Sequence, residues 1–424
     1  MGRVIKKTPV PKTSSRQAPI VVIGAGASGL MAAIWGAGRG RPVIVLEGTD
    51  DGGRKLLITG GGRCNILPLA SAPAPERFVT DSSPNSLRNI LRSWPLQEQR
   101  QFFEDDLGLP LAQEPGTEKL FPECSSARQV RDRLMEEARR RGAELRFNTR
   151  AADMVPKGRA WNLTLADGSV LKAAAVILAT GGCSVPATGS DGWGYQATRR
   201  LGHTVHPPYA ALTPLTADPA VHAHLAGISL DVTVTAAVAG KKTVTKGALL
   251  FTHRGYSGPA VMDISHMAVR SLMSGGPRQE LFVRWTALDA AAWEQLLLRN
   301  RRMVETLLAK HIPWRLAQTL CEEAGEGAGL EGVRLRRDQR IRLIEFLTRY
   351  PLPWTGHEGF TTAEVTGGGV DLGEVDPRTL ESRLHPGLFI CGEVLDAFGP
   401  IGGHNLHWAW TTGKAAGLGA GAGG

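Results

Sequence analysis

The sequence predicts an α/β protein: a Rossmann-type parallel sheet flanked by helices and interrupted by an insertion, part β-rich and part helical. Three observations predict it. Pro19-Ile-Val-Val-Ile-Gly24-Ala-Gly26-Ala-Ser-Gly29-Leu30 is an apolar run, a glycine-rich turn and the start of a helix, and a second apolar run, Pro42–Leu46, ends on Glu47. Ala174–Leu178 and Leu388–Cys391 are apolar at every position, as strands buried on both faces must be. Between about 203 and 355 the pattern changes to alternating β segments followed by helical spacing.

The first unit has a chemical meaning. A strand, a G-x-G-x-x-G turn, a helix and a strand ending in a carboxylate bind a dinucleotide. Gly24 permits the tight turn. Gly26 lets backbone N–H groups approach a pyrophosphate at the positive end of a helix expected over Leu30–Gly38. Gly29 lets helix and strand pack closely. Glu47 can accept hydrogen bonds from ribose hydroxyls and would repel a 2′-phosphate.

Further along, Gly52-Gly-Arg54-Lys55-Leu-Leu-Ile-Thr-Gly60-Gly-Gly62-Arg63-Cys64-Asn65 is a backbone-exposed, anion-friendly loop. A helix is expected around Ser86–Leu107. Ser125 or Ser126 caps the next, whose stripe is Val130, Leu134 and Ala138 and which Gly142 stops. Ala143–Phe147 reads as a strand, followed by a hairpin turning at Asp167-Gly168. The returning strand Ala174–Leu178 ends in Ala-Thr180-Gly181-Gly182. Segments 228–235 and 280–285 alternate as strands. Trp293, Leu296, Leu297, Ile341, Ile344 and Leu347 stand at helical spacing and read as core. Gly399-Pro-Ile-Gly-Gly403-His404-Asn405-Leu406 opens a last helix, and Gly417–Gly424 reads as a frayed end.

The expected organisation is a tail over 1–18 and a first part of the nucleotide domain over 19–202. An insertion follows over 203–355, β-rich to about 286 and helical over about 287–350, and the nucleotide domain ends over 356–424. The 424 residues, 42% of them hydrophobic, suffice for more than one core. The basic tail lacks the apolar stretch of a secretory signal. No apolar run reaches the roughly 18 residues of a membrane span. Cys64, Cys124, Cys183, Cys321 and Cys391 are scattered, with no C-x-x-C. That excludes a zinc motif or disulfide framework and fits reduced thiols in a cytoplasm. The net charge of +9 has two readings: solvated basic helix faces, which we favour, or nucleic-acid binding.

The combination of Gly24–Gly29, Gly53–Asn65, Leu178–Gly182, Leu250-Phe-Thr-His-Arg-Gly-Tyr-Ser-Gly-Pro-Ala260 and Pro386-Gly-Leu-Phe-Ile-Cys-Gly-Glu-Val-Leu-Asp396 resembles the BaiN/YhiN-like flavoproteins over nearly the whole chain. The resemblance implies a glutathione-reductase-type domain with non-covalent FAD. It places Gly24, Gly26, Ala27, Ser28 and Gly29 on the pyrophosphate and Glu47 on the adenosine ribose. Arg54 and Lys55 fall by the phosphates, and Gly62, Arg63, Cys64 and Asn65 toward the flavin. Ala151 meets the adenine. Thr180, Gly181, Gly392 and Glu393 meet the ribityl and phosphate region. Asn405 and Leu406 offer N–H groups to the flavin's pyrimidine edge, where a helix N-terminus stabilises reduced flavin. The family pattern Gly-Gly-Tyr-Asn-x-Gln-Trp-Ala here reads Gly402-Gly-His404-Asn405-Leu406-His407-Trp408-Ala409.

Catalytic candidates are His404 and His407 as proton carriers and Cys64 as a thiolate beside the flavin; the alternative for all three is packing. His253 is a weaker candidate. No second strand–G-x-G-x-x-G–helix unit is present, since Ala324–Gly329 lacks a preceding strand. NAD(P)H therefore enters as a transient donor in the cleft, or another donor reduces the flavin. The expected activity is FAD-dependent oxidoreduction of a small organic molecule by hydride transfer. An RNA-acting flavoprotein and a non-enzymatic flavin-binding module are the alternatives.

Overall fold

The computed structural model describes residues 17–69, 75–238, 241–325 and 331–423. Most of the expected basic tail, residues 1–16, lies outside the described residues, as do 326–330.

Five parallel strands form the central sheet, in the order Leu388–Ile390, Ala175–Leu178, Ile20–Ile23, Val43–Leu46, Ala143–Arg146. The first four are buried at every position, and only the edge strand Ala143–Arg146 is partly open. The continuous apolar runs thus arise from burial on both faces. The first helix spans Ala27–Gly36, three residues earlier than its apolar stripe suggests. It begins at the turn itself because Leu30 N donates to Gly26 O at 2.9 Å. A Cβ on Gly29 would lie 1.9 Å from Gly24 O, so only glycine fits this contact.

The C-terminal helix His404–Ala422 lies along the first helix. A Cβ on Gly413 would lie 2.4 Å from Ser28 O, and one on Gly417 2.4 Å from Ala32 O. The two backbones are therefore in direct contact. The stretch from Gly417, expected to fray, is helical to Ala422. Glycine lowers helix propensity, yet here its missing side chain allows burial of Ala416 and Ala420 against the core.

The helix expected over Ser86–Leu107 is divided into Pro84–Arg92, Leu96–Gln101 and a π-helical turn at Phe102–Asp106. Pro95 separates the first two, as a proline without an N–H must. Ser126 caps Ala127–Arg140. The hairpin Ala160–Leu165/Val170–Ala173 is joined by Ala151–Lys157 into a three-stranded meander.

The insertion contains a seven-stranded antiparallel sheet built on Ser229–Val238 paired with Lys241–Phe251. Helices Ala290–Leu298, Val304–Leu308, Trp314–Glu323 and Arg337–Thr348 pack against it, burying Trp293, Leu297, Ile344 and Leu347. Ile341, read as core, is 52% exposed, and Leu343 takes the inward position instead. One core draws on residues 20–205 and 370–420, another on 215–354. An antiparallel ribbon, Val205–Ala211 with Val365–Val370, connects them.

The helix contact is testable. Gly417→Ala is expected to cost about 3 kcal/mol or more, because backbone on both sides prevents relaxation. Gly423→Ala, whose Cβ would meet nothing closer than 3.9 Å, is expected to leave the chemical-denaturation midpoint unchanged.

Candidate functional site

A cavity of about 750 Å³ runs across the C-terminal ends of the parallel strands, where Ile23, Leu46 and Ala179 reach its wall. This is where an open α/β sheet leaves a crevice. Glu47 and Ala151 mark one end. The N-terminus of the first helix stands midway. Gly60, Gly61, Arg63, Asn65, Asn405 and Leu406 wall the other end.

Each expected residue has a definite place. Gly24 sits at φ +104°, and a Cβ there would lie 2.5 Å from Ala179 O. A Cβ on Gly26 would meet no protein atom within 4 Å and would project into open space. Gly26, Ala27 and Ser28 line the cavity; Gly29 does not, and serves packing. Glu47 Oε2 accepts from Ala25 N at 2.9 Å, and Oε1 accepts from Thr49 N at 2.8 Å and Thr49 Oγ1 at 2.7 Å. It ties the glycine turn to the end of the second strand while keeping acceptor capacity for a ribose.

Arg54 and Lys55 both line the cavity, but both are already paired. Arg54 bonds Asp50 and, at 2.8 Å, Asp51; that bond holds the Asp51 carboxyl below its usual range. Lys55 Nζ lies 2.7 Å from Glu393 Oε2 and bonds Ser184 Oγ. Glu393 Oε1 accepts from Ser184 Oγ and from Thr366 N, each at 2.8 Å. Burial pushes Glu393 up, but Lys55 and these donors outweigh it and hold it below the carboxylate range. With both cations neutralised, an anion here depends mainly on the helix N-terminus.

Thr180, Gly181, Ala151, Arg63, Asn65, Asn405 and Leu406 line the cavity as expected. Gly62 and Gly392 do not. Gly60 and Gly61 form the wall in place of Gly62, and Gly392 at φ +79° packs on Ser28, whose Oγ would be 2.4 Å from its Cβ.

The three catalytic candidates, Cys64, His404 and His407, stand off the cavity wall. Cys64 is fully buried and off the cavity wall, and burial pushes its thiol up to about 12, so it carries no thiolate. His404 and His407 are 2% and 3% exposed. Three residues apart on one helix, neither lines the cavity, although Asn405, Leu406, Trp408 and Ala409 of the same helix do. His404 sits edge-on to Phe78, and burial pushes it down to about 3. His407 Nδ1 lies 2.8 Å from Gln99 Nε2, and burial pushes it down to about 4. Burial therefore favours the neutral form of both.

Sequence reasoning missed Lys119, Phe121 and Glu364, which also line the cavity. Phe121 is covered by the Arg63 guanidinium at 4.3 Å from its ring centre, and Arg63 is held by Glu114 at 2.9 Å. From the insertion, Asp263 Oδ1 accepts from Ile401 N at 2.7 Å, fastening that unit to the loop before the C-terminal helix. Burial pushes Asp263 up to about 6. No motif marked these positions, since they meet only through folding.

The donor set suits FAD: a carboxylate and strand edge at one end, a helix N-terminus with open space at Gly26, and a second helix N-terminus at the far end. Residues 18–419 match the HI0933-like protein Rossmann domain. The chain belongs to the HI0933-like family. It is an FAD-dependent oxidoreductase of this group, which contains the BaiN/YhiN-like flavoproteins. It is similar to an Escherichia coli (strain K12) protein named ribosomal RNA dihydrouridine synthase, 32% identical over 92% of this chain and 95% of that one. It is also similar to a Clostridium scindens protein named 3-dehydro-bile acid delta(4,6)-reductase, 33% identical over 95% of this chain and 98% of that one. Among solved structures, the Sterolibacterium denitrificans 3-ketosteroid delta1-dehydrogenase shares the fold, with a TM-score of 0.52 and 13% identity, covering 97% of this chain and all of that one. Among the described residues, no helix is long and apolar enough to cross a membrane. Nor does any cluster of three or more His, Cys, Asp or Glu there suit a metal ion.

Gly26→Val tests the site without burdening the fold, because the added atoms point into the cavity. Flavin content of the purified protein is expected to fall by about tenfold or more, equivalent to about 1.4 kcal/mol of binding, with an unchanged circular dichroism spectrum.

Proposed function

We propose that the chain reduces a carbon–carbon double bond conjugated to a carbonyl. The observation that carries this reading is the far end of the cavity. There the N-terminus of the C-terminal helix, at Asn405 and Leu406, faces a space also walled by Lys119 and Glu364. That space offers positive potential, a cation and an acid to one reacting molecule. The names of the two relatives support it. Making a dihydrouridine and reducing a 3-dehydro-bile acid at delta(4,6) both add hydrogen across a double bond conjugated to a carbonyl.

When bound, FAD supplies the hydride chemistry, taking two electrons from a donor and passing them to the substrate. Gly24, Gly26 and Ser28 would hold its pyrophosphate at the first helix. Glu47 and Ala151 would hold the adenosine, and Thr180 and Gly181 the ribityl chain. Asn405 and Leu406 would present the second helix N-terminus to the pyrimidine edge, favouring negative charge there. The Lys55–Glu393 pair fixes the wall between these regions. NADH or NADPH serves as a transient donor in this reading, since a second nucleotide unit is absent from the sequence. In this reading the protein works in a cytoplasm, which the scattered cysteines without a C-x-x-C support.

A second reading, RNA as the molecule carrying the reducible ring, is favoured by the net charge of +9 and by the Escherichia coli relative. One experiment separates them. The flavin is reduced anaerobically with NADH or NADPH, then mixed with a cyclic enone, the saturated ketone, a primary amine, free uridine or ribosomal RNA. Reoxidation by the enone alone supports a small-molecule substrate, and reoxidation by RNA alone supports the second reading. If neither enone nor any uridine accelerates reoxidation, the proposal is wrong.

A further inference from the structure

We propose that Glu364 is the catalytic proton donor of this site, giving its proton to the substrate carbon next to the carbonyl. The inference rests on the reductase reading above and adds the residue that completes it.

The four carboxyls lining the cavity, among the described residues, are Glu47, Asp191, Glu364 and Glu393. Glu47 is committed to Ala25 N and to Thr49. Asp191 is bonded to Arg150 and, at 3.0 Å, to Trp193 N. Glu393 is held by Lys55, Ser184 and Thr366 N. Glu364 alone has a side chain with no hydrogen bond or ion pair to the described protein. Its backbone, by contrast, is pinned on both sides: its N donates to Leu212 O at 3.1 Å, and its O accepts from Ser184 Oγ at 3.3 Å. A rigid backbone thus presents an uncommitted acid to the cavity.

The charged groups around it are Lys119 on the strand Lys119–Pro122, Lys55 on the helix Arg54–Ile58, and Asp263 after the helix Pro259–Met262. Glu364 is open on the cavity side, yet the protein packed around its carboxyl desolvates it and pushes it above the usual carboxylate range, against the pull of Lys119 and then Lys55. A general acid works best when its pKa lies near the working pH. Cys64, His404 and His407 do not reach the cavity and cannot compete for the role.

The step balances. With FAD bound to supply the hydride, a C–H bond would form at the carbon remote from the carbonyl as the C=C π bond breaks. Its electron pair moves onto the carbonyl oxygen, beside the Lys119 ammonium. The pair then returns to form a C–H bond at the adjacent carbon with the proton of Glu364. The substrate is thereby reduced by the two electrons that bound, donor-reduced FAD would supply, and the Glu364 carboxylate regains a proton from solvent.

Reoxidation of the reduced holoenzyme by a cyclic enone, followed across pH, tests the proposal. The rate is expected to fall as pH rises and Glu364 ionises. Glu364→Gln is expected to slow reoxidation about 100-fold or more and to flatten that pH dependence, with flavin content and reduction by the donor unchanged. Glu364→Asp is expected to restore part of the rate and the pH dependence, whereas Lys119→Met keeps the dependence. Wild-type rates in Glu364→Gln, or a pH dependence lost only with Lys119, would overturn the proposal. Infrared difference spectra of the oxidised holoenzyme give a readout independent of any substrate. A protonated carboxyl band that persists to higher pH than that of a free glutamate is expected in the wild type and absent from Glu364→Gln. If Glu364 ionises no later than a free glutamate, its role as proton donor fails whether or not the enone is the right substrate.

Discussion

The backbone contact between the first and last helices organises the rest of the molecule. Gly413 against Ser28 and Gly417 against Ala32 advance together, so the helices run in the same sense. The C-terminal helix starts nine residues before Gly413, whereas the first starts one residue before Ser28. At 1.5 Å per residue, its N-terminus therefore projects roughly 12 Å farther. Two positive helix ends are thereby set at staggered depths along one cavity. Parallel dipoles side by side oppose one another, and negative charge at both ends relieves that cost. A dinucleotide with a pyrophosphate in its middle and an electron-accepting ring at its end matches that stagger.

The cavity's charges follow a second rule. Nearly every ionisable side chain on its wall is paired with another protein group. Arg54 is matched by Asp50 and Asp51, Lys55 by Glu393, Arg63 by Glu114, and Arg150 by Asp191. Along the paired stretch backbone dipoles are thus left as the main anion-binding element, and they need no reorganisation as charge develops. Glu364 and Lys119 stand outside this pairing, Glu364 at the point where the chain re-enters the nucleotide domain through the connecting ribbon.

The insertion meets the nucleotide domain through few but specific contacts. A small core of Tyr209, Leu212, Met262, Val269, Val365 and Phe398 fills the junction. The Asp263–Ile401 bond joins the insertion to the loop that opens the C-terminal helix. The reacting end of the cavity is therefore shaped jointly by both units.

The fold class, the buried parallel strands and the pyrophosphate turn were legible in local sequence. Their signals are short-range: Gly24 needs a positive φ, Gly26 must leave space, and an all-apolar run of four residues has to be buried on both faces. Family-level motifs extended this to Thr180, Asn405 and Leu406. Residues whose roles depend on direction were not legible. Cys64 stands beside two cavity-lining residues, and His404 and His407 flank two others, yet helix rotation and burial turn all three inward. Lys119 and Glu364 are 245 positions apart and share a cavity only after the ribbon and hairpin fold. Sequence specifies which local conformations are allowed. Which side chain faces the cavity, and with what charge, was decided by tertiary packing, because burial and neighbouring dipoles set both orientation and protonation.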